Sequence, residues 1–175
     1  MQEILINNFS EMCAPSDAVN NVAIKNKWCL IPYETGECSG IMLSSFNEEP
    51  EDITISLNLK GFYKIYIALL MYDSNIVNIK LSNDECFYKI ATHGQGWGAD
   101  EIEEAFWRVA DMTENNIVIS RKRIAYGTNS NIAWIRLVPM TEQEVSAYRS
   151  YYSKQENKRL YATDDIHNKL FLERI

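Results

Sequence analysis

The chain has 175 residues, of which 46% are hydrophobic and 23% are charged, a composition typical of one globular domain with a short appendage rather than of a disordered chain. Its formal net charge is −7 and its isoelectric point is near 4.9, so its field repels a phosphate backbone and we expect no nucleic-acid partner. The apolar runs are too short to span a membrane and the N-terminus lacks the features of a signal peptide, so we expect a soluble protein with no membrane partner, cytoplasmic if Met1 is the native start.

Short segments rich in β-branched and aromatic residues predict a series of strands before residue 92. Over residues 52–60 polar and apolar residues alternate, which predicts a strand that is buried on one face only. The run Phe62–Leu70 is apolar on both faces apart from Lys64, which is typical of a central strand covered on each side or of a strand that lines a groove. The other strand candidates in this part of the chain are 22–31, 40–46, 75–81 and 86–91.

The loop 92–99, T-H-G-Q-G-W-G-A, holds three glycines around Trp97. Glycine tolerates backbone angles that other residues avoid, so this loop could hold the indole outward, where it would stack on the apolar face of a sugar. In the alternative, Trp97 folds back as a lid on the edge of the domain, and His93 only makes hydrogen bonds within the loop. The predicted ligand-binding residues are Trp97, His93 and Tyr126. By contrast, Trp28, Trp107 and Trp134 lie in strand patterns and are expected in the core or in an interface.

Four carboxylates follow this loop, namely Asp100, Glu101, Glu103 and Glu104. They could hold calcium or supply an acid/base pair, but consecutive acidic residues lack the ligand spacing of a calcium loop, which favours a solvated turn. The segment after them fits a helical stripe as well as a strand. We expect a turn or short helix through Glu104 and then a strand over residues 105–111.

Two later strand candidates, 117–121 and 132–138, bring the total to eight or nine short strands separated by turn-like segments. This pattern predicts an all-β fold, an antiparallel jelly-roll-like β-sandwich, with strands over about residues 22–140. We therefore assign residues 1–140 to one β-sandwich domain.

The strand pattern stops at Pro139 and a helix pattern begins. Thr141 and Glu144 form a capping box, in which the threonine hydroxyl accepts from a backbone N–H of the first turn and the glutamate reaches back. A helix is predicted over 142–154, with one face made by Val145, Tyr148 and Tyr152. A charged segment after residue 154 reads as a connector, so we assign 141–158 to a helical connector and 159–175 to a tail that could open a following domain.

Metal, cofactor and nucleophile motifs are poorly supported. The cysteines Cys13, Cys29, Cys38 and Cys86 form no C-x-x-C pair and have no histidine at zinc-ligand spacing, so reduced thiols are expected. Asp164, Asp165 and His167 resemble metal ligands, but they lie near a chain end with no further ligand in view, and a structural role is favoured. We expect no metal site, no cofactor and no catalytic residues in this chain.

Three segments carry a resemblance to a known family. G-F-Y-K-I-Y-I-A-L-L from Gly61, E-E-A-F-W-R-V-A-D-M-T from Glu103 and I-A-W-I-R-L-V-P-M-T from Ile132 resemble the N-terminal, carbohydrate-binding-module-like β-sandwich domains that precede catalytic barrels in bacterial glycoside hydrolases. The resemblance spans about residues 22–145 and implies a jelly-roll fold. It also implies that R-L-Y-A-T-D-D from Arg159 is similar to a first barrel strand, which would make the chain a fragment. It transfers no catalytic pair, because those residues would lie beyond this chain.

Two functional hypotheses follow, with an enzyme as a third. The first is a non-catalytic, carbohydrate-binding-like accessory domain of a larger glycoside hydrolase-like protein, with a neutral glycan and a neighbouring catalytic domain as partners. The second is a structural or protein-interaction β-sandwich that docks a neighbouring domain or subunit. The third, a small enzyme that uses the acidic cluster, has no nucleophile motif in its favour. A groove on the concave sheet face favours sugar binding, whereas a flat apolar patch beside the helical tail favours docking.

Overall fold

The computed structural model describes residues 2–11, 18–20, 28–36, 38–46, 49–71, 75–92 and 101–161. Within these ranges the chain forms eleven strands, a single 3-10 turn at Phe9–Glu11 and one α-helix. The first strands are β1 (Ile4–Ile6), β2 (Ala18–Asn20), β3 (Trp28–Glu34), β4 (Ser39–Phe46), β5 (Ile53–Ile55) and β6 (Phe62–Leu70). The remaining elements are β7 (Ile76–Leu81), β8 (Tyr88–Ala91), β9 (Ile102–Asp111), β10 (Ile117–Ser120), β11 (Asn129–Pro139) and the helix α1 (Glu142–Tyr161).

The strands form two sheets. The larger sheet has the order β2-β3-β4-β11-β6-β9, and β1 also pairs with β11. The smaller sheet has the order β5-β10-β7-β8. All pairs between these strands are antiparallel except β2–β3, which is parallel. Two antiparallel sheets with one C-terminal helix confirm the predicted fold class.

A hydrophobic core lies between the two sheets. Both sheets contribute to it through alternate residues of their strands, so that Ile65 and Ile135 of the larger sheet pack with Ile79 and Ile119 of the smaller one. These four side chains are fully buried. Burial of such a side chain contributes roughly 1.5–3 kcal/mol, so this layer is the main source of stability.

Most strand predictions are confirmed, and β6 has the predicted bounds. The predicted strand over residues 52–60 is shorter than expected, because β5 ends at Ile55. Its burial still alternates through Leu59, but the backbone N–H of Leu57 donates to the side chain of Asn116 (3.1 Å) instead of to a neighbouring strand. A side-chain acceptor thus replaces the sheet hydrogen bond and ends the strand.

The start of β9 corrects one prediction. The expected turn or short helix through Glu104 is wrong, because the strand begins at Ile102 and pairs with the end of β6. Glu103 and Glu104 are therefore strand residues and not a solvated turn. Pairing with β6, which the local pattern does not encode, decides the conformation.

The N-terminal strand β1 extends the sandwich beyond the predicted strands. The sequence pattern placed the first strand at 22–31, but β1 pairs with β11 at Ile4–Ile6. Residues 22–27 lie outside the described residues, and the rest of that candidate belongs to β3.

The capping box of α1 is confirmed. Thr141 Oγ1 accepts from the backbone N–H of Glu144 (3.3 Å), and Glu144 Oε2 accepts from the backbone N–H of Thr141 (2.8 Å). The helix continues to Tyr161, so the charged segment predicted as a connector is helical as far as that residue. The tail from residue 162, with Asp164, Asp165 and His167, lies outside the described residues.

Candidate functional site

The outer face of the larger sheet, opposite the core, carries a connected group of aromatic and charged side chains. Trp134 and Arg136 alternate in β11 with the buried Ile135 and Leu137, so one strand serves both the core and this face. We call the group the outer-face cluster. Its members are Tyr33, Tyr66, Glu104, Phe106, Trp134 and Arg136.

A carboxylate–guanidinium pair lies at the centre of the outer-face cluster. Arg136 Nε donates to both carboxylate oxygens of Glu104 (2.9 and 3.1 Å), and Arg136 Nη2 donates to Oε1. Trp134 Nε1 donates to Oε2 of the same carboxylate at 2.7 Å. The hydrogen bonds from Arg136, and less strongly the one from Trp134, lower the pKa of Glu104 against the opposing effect of burial. Glu104 is therefore ionised at neutral pH and does not serve as a general acid.

A small residue lets the indole reach this carboxylate. Trp134 lies opposite Ala68 of β6, and Ala68 lies opposite Glu104 of β9. The hydrogen bond from Trp134 to Glu104 thus spans the middle strand at a position whose side chain is a single methyl group. Because Ala68 is fully buried, a larger side chain there would displace the indole.

Tyr33, from the β3–β4 hairpin, stacks on Trp134. The ring centroids are 6.2 Å apart and the ring planes differ by 24°. Gly40, opposite Tyr33 in the hairpin, makes this possible, since a Cβ at that position would lie 2.9 Å from the Tyr33 hydroxyl and 2.0 Å from the Asn7 carbonyl oxygen. Burial, followed by the neighbouring Cys38, raises the pKa of the Tyr33 hydroxyl. The side chain is therefore uncharged at neutral pH.

The other side of the cluster ends in an exposed ring. The guanidinium carbon of Arg136 lies 4.3 Å from the centroid of the Tyr66 ring, a cation–π distance. Tyr66 meets Phe106 edge to face at 5.5 Å. Phe106 is 56% exposed, so its ring presents apolar surface to solvent.

Two β-bulges place the large rings on the outer face. In β11 the register shifts between Ile132 and Trp134, and in the β6–β9 pair it shifts between Ile65 and Tyr66, which leaves Trp107 as the extra residue. If pairing continued in regular register from Ile132 and from Arg108, without the bulges, Trp134 and Phe106 would each lie opposite Ile67 and turn to the inner face. Bulges of this kind often re-aim side chains at functional sites.

An open cavity of about 540 Å³ adjoins Trp134. Residues 34–36 at the β3–β4 turn form one side, and Met71 with residues 101–103 form the other. The volume lies within the range of small-molecule sites. Glu34, Glu101 and Glu103 give the cavity an acidic rim, and the described residues that line it include no lysine or arginine.

The described structure does not test whether the three predicted ligand-binding residues lie together. Tyr126 lies in the turn between β10 and β11, is 86% exposed and does not line the cavity. Trp97 and His93 lie outside the described residues. From the sequence alone, Trp134 is expected in the core or an interface and Glu104 in a turn. Strand alternation from Trp134 to Arg136 was the available signal for this face.

A second surface lies where α1 meets β6. Tyr148 packs against Phe62 with ring centroids 6.2 Å apart, and Lys64 pairs with Glu144 at 2.6 Å. Tyr151 and Tyr152 of the same helix are 59% and 50% exposed. This aromatic patch is where a docking partner would bind under the alternative hypothesis.

Three further features of the described ranges bear on function: metal ligands, disulfides and membrane-spanning helices. There, no group of three or more His, Cys, Asp and Glu side chains is arranged to hold a metal ion. Cys29, Cys38 and Cys86 form no disulfide, and Cys13 lies outside those ranges. The described residues contain no helix that is both long enough and apolar enough to cross a membrane.

Comparisons with known proteins identify the fold. No protein-family model matches the sequence, and no curated protein matches it. The CBM36-1 domain of a multidomain xylanase from the hindgut metagenome of Trinervitermes trinervoides is similar, with a TM-score of 0.50 and 10% identity over 80% of this chain and 99% of that one. A CBM35 from Cellvibrio japonicus Abf62 matches with a TM-score of 0.41 and 14% identity, over 80% of this chain and 95% of that one. The insecticidal crystal protein Cry2Aa matches with a TM-score of 0.44 and 12% identity, over 63% of this chain and 18% of that one. The likeness to the CBM36-1 domain shows that the chain has a carbohydrate-binding-module-like β-sandwich fold.

Proposed function

We propose that this chain is a non-catalytic, carbohydrate-binding accessory domain whose ligand is a neutral glycan. The observation that carries the proposal is the open cavity beside the Tyr33–Trp134 stack. The apolar face of a sugar stacks on aromatic rings, and its hydroxyl groups bind planar polar side chains. The outer-face cluster offers both aromatic rings and planar polar side chains.

Charge supports a neutral ligand. The chain carries a net charge of −7, and the cavity rim is acidic. Arg136, the cation closest to Trp134 in sequence, is paired with Glu104 and lies 3.6 Å from Glu3, so its charge is already balanced. An anionic sugar would therefore meet repulsion, with no compensating cation among the described residues that line the cavity.

The shared fold supports an accessory role. The similar CBM36-1 domain belongs to a multidomain xylanase. By analogy we propose that this domain also works within a larger glycoside hydrolase-like protein, beside a catalytic domain. Because fold does not determine function, the site must be tested directly.

The test is a heteronuclear chemical-shift titration with neutral xylo-, manno- and cello-oligosaccharides. We expect shifts for Trp134 and for residues 34–36, and loss of binding in Trp134→Ala. Trp134→Phe, which keeps a ring but loses the N–H donor, should bind more weakly than wild type but better than the alanine variant. Trp97→Ala and Tyr126→Ala test the residues predicted from the sequence. If no oligosaccharide shifts the cavity residues at millimolar concentration, the proposal is wrong.

The docking alternative is favoured by one observation, the exposed Tyr151 and Tyr152 beside the half-buried Tyr148. Under it, the concentration dependence of sedimentation should show association of the chain with itself or with a neighbouring domain. Tyr151→Ser with Tyr152→Ser should remove that association and leave any glycan binding intact.

A further inference from the structure

Phe106 is an exposed aromatic ring that does not line the cavity. It lies opposite Tyr66 on the outer face, one step along β6 from Ala68, which lies opposite Trp134. Strand geometry separates the Cα atoms of Trp134 and Phe106 by about 12 Å, from two strand spacings and two residues of rise. This span is longer than one hexose ring, so a single sugar in the cavity would leave Phe106 without a contact.

The surface between the two rings is continuous and polar. Glu104, Arg136 and Tyr66 fill it, and each contacts the next through a hydrogen bond or a cation–π contact. Arg136 Nη1 lies 3.6 Å from Glu3, longer than a hydrogen bond, so its N–H groups can donate to a ligand hydroxyl. The Glu104–Arg136 pair is neutral overall, which matches an uncharged ligand.

Both ends of this surface depend on a β-bulge. The bulge in β11 turns Trp134 outward, and the bulge at Trp107 turns Phe106 outward. A large apolar ring that is exposed on a strand lacks the favourable free energy of burial that it would gain on the inner face. The two bulges thus place two aromatic rings on one face of the sheet, on either side of the Glu104–Arg136 pair.

We infer that the glycan site extends from the cavity across Glu104 and Arg136 to Phe106, so that the ligand is an internal stretch of a neutral oligosaccharide chain and not a single sugar or chain end. This inference rests on the proposed function. In this arrangement Trp134 and Phe106 stack on different sugar units, and the guanidinium and carboxylate groups between them hold hydroxyls of the chain. Affinity therefore rises with chain length until both rings are covered.

The experiment is isothermal titration of the full chain with xylo-, manno- and cello-oligosaccharides, each from the monosaccharide to the hexasaccharide. Wild type is compared with Phe106→Thr, which removes the ring and keeps strand propensity, and with Phe106→Tyr, which keeps the ring. Tyr151→Thr, an exposed ring on the helix, is the matched control. Circular dichroism and thermal unfolding confirm that each variant is folded.

We expect Phe106→Thr to weaken binding of the longer oligosaccharides by about two- to twelvefold, as for loss of one aromatic stacking contact. The shortest ligands should bind wild type and this variant equally, Phe106→Tyr should restore the length dependence, and the helix control should match wild type. Equal affinity for all chain lengths, or no effect of Phe106→Thr, would overturn the extended site while leaving the cavity as a glycan site. Absence of binding by every oligosaccharide would overturn the proposed function together with this inference.

Discussion

The inner and outer faces of β6, β9 and β11 belong to the same strands and yet use opposite chemistry. On the inner face, Ile67 and Ile135 are buried and pack against the smaller sheet. On the outer face, Arg136 and Glu104 keep 28% and 21% of their side chains exposed and are joined by charge-assisted hydrogen bonds.

This difference separates stability from recognition. Apolar burial is strong and non-directional, so the inner face holds the sandwich together whatever its detailed geometry. Hydrogen bonds and ring contacts are directional but contribute little net free energy at a partly exposed site. The outer face can therefore present a defined arrangement of side chains to a ligand while contributing little to the stability of the fold.

A substitution on the inner face should change the free energy of unfolding most. Ile67→Ala removes a side chain that is 1% exposed and leaves a cavity between the sheets. It should lower the free energy of unfolding by about 2–5 kcal/mol, measured by guanidinium denaturation. Leu5→Ala is the control, because Leu5 is 45% exposed on the outer face, and it should change stability by less than about 0.5 kcal/mol. Similar costs for both variants would remove the distinction between the faces.

A smaller effect is expected from the centre of the outer-face cluster. Glu104→Ala leaves Arg136 and the indole N–H of Trp134 without their shared acceptor. We expect a loss of about 1–2 kcal/mol of unfolding free energy and a shift in tryptophan fluorescence. Glu103→Ala, at the exposed neighbouring position, should change neither quantity. A neutral result for Glu104→Ala would show that the cluster is not held together by this carboxylate.

The smallest effect is the pH dependence of the same pair. The pKa of Glu104 is lowered from its ordinary value of 4.5, chiefly by the Arg136 hydrogen bond. A depressed pKa in the folded state contributes stability that is complete above the ordinary value and is lost as the pH falls through the folded value. The stability difference between wild type and Glu104→Gln should thus be constant near neutral pH and shrink below about pH 4.5. Denaturation midpoints along an acid series measure it, and a difference that grows on acidification would contradict the sign.

Much of the fold is predictable from short stretches of sequence. Alternation over residues 52–60 predicts the buried face that contains Ile53 and Ile55, and the apolar run Phe62–Leu70 predicts the central strand β6. The Thr141–Glu144 capping box predicts where the helix starts. These features depend on residues a few positions apart, which share a face or a turn through backbone geometry alone.

The candidate site was not predictable in this way. Glu104 and its partner Arg136 are 32 residues apart, and the local pattern around Glu104 fits a turn or a helix as well as a strand. Binding is predicted at the glycine-rich loop with Trp97 because the backbone freedom of glycine can be read from the local sequence. For Trp134 the local signal was its alternation with Arg136, and alternation alone does not show which face of a strand is buried.

Local periodicity and capping are enough to predict the alternating strands, the position where strand gives way to helix, and the all-β class. The outward direction of Trp134 and Phe106, and the hydrogen bonds that Glu104 accepts from both Trp134 and Arg136, depend instead on contacts between strands. The physical reason is that a one-residue bulge reverses the face of every later side chain, and the pairing register that creates the bulge depends on partner strands far away in the sequence.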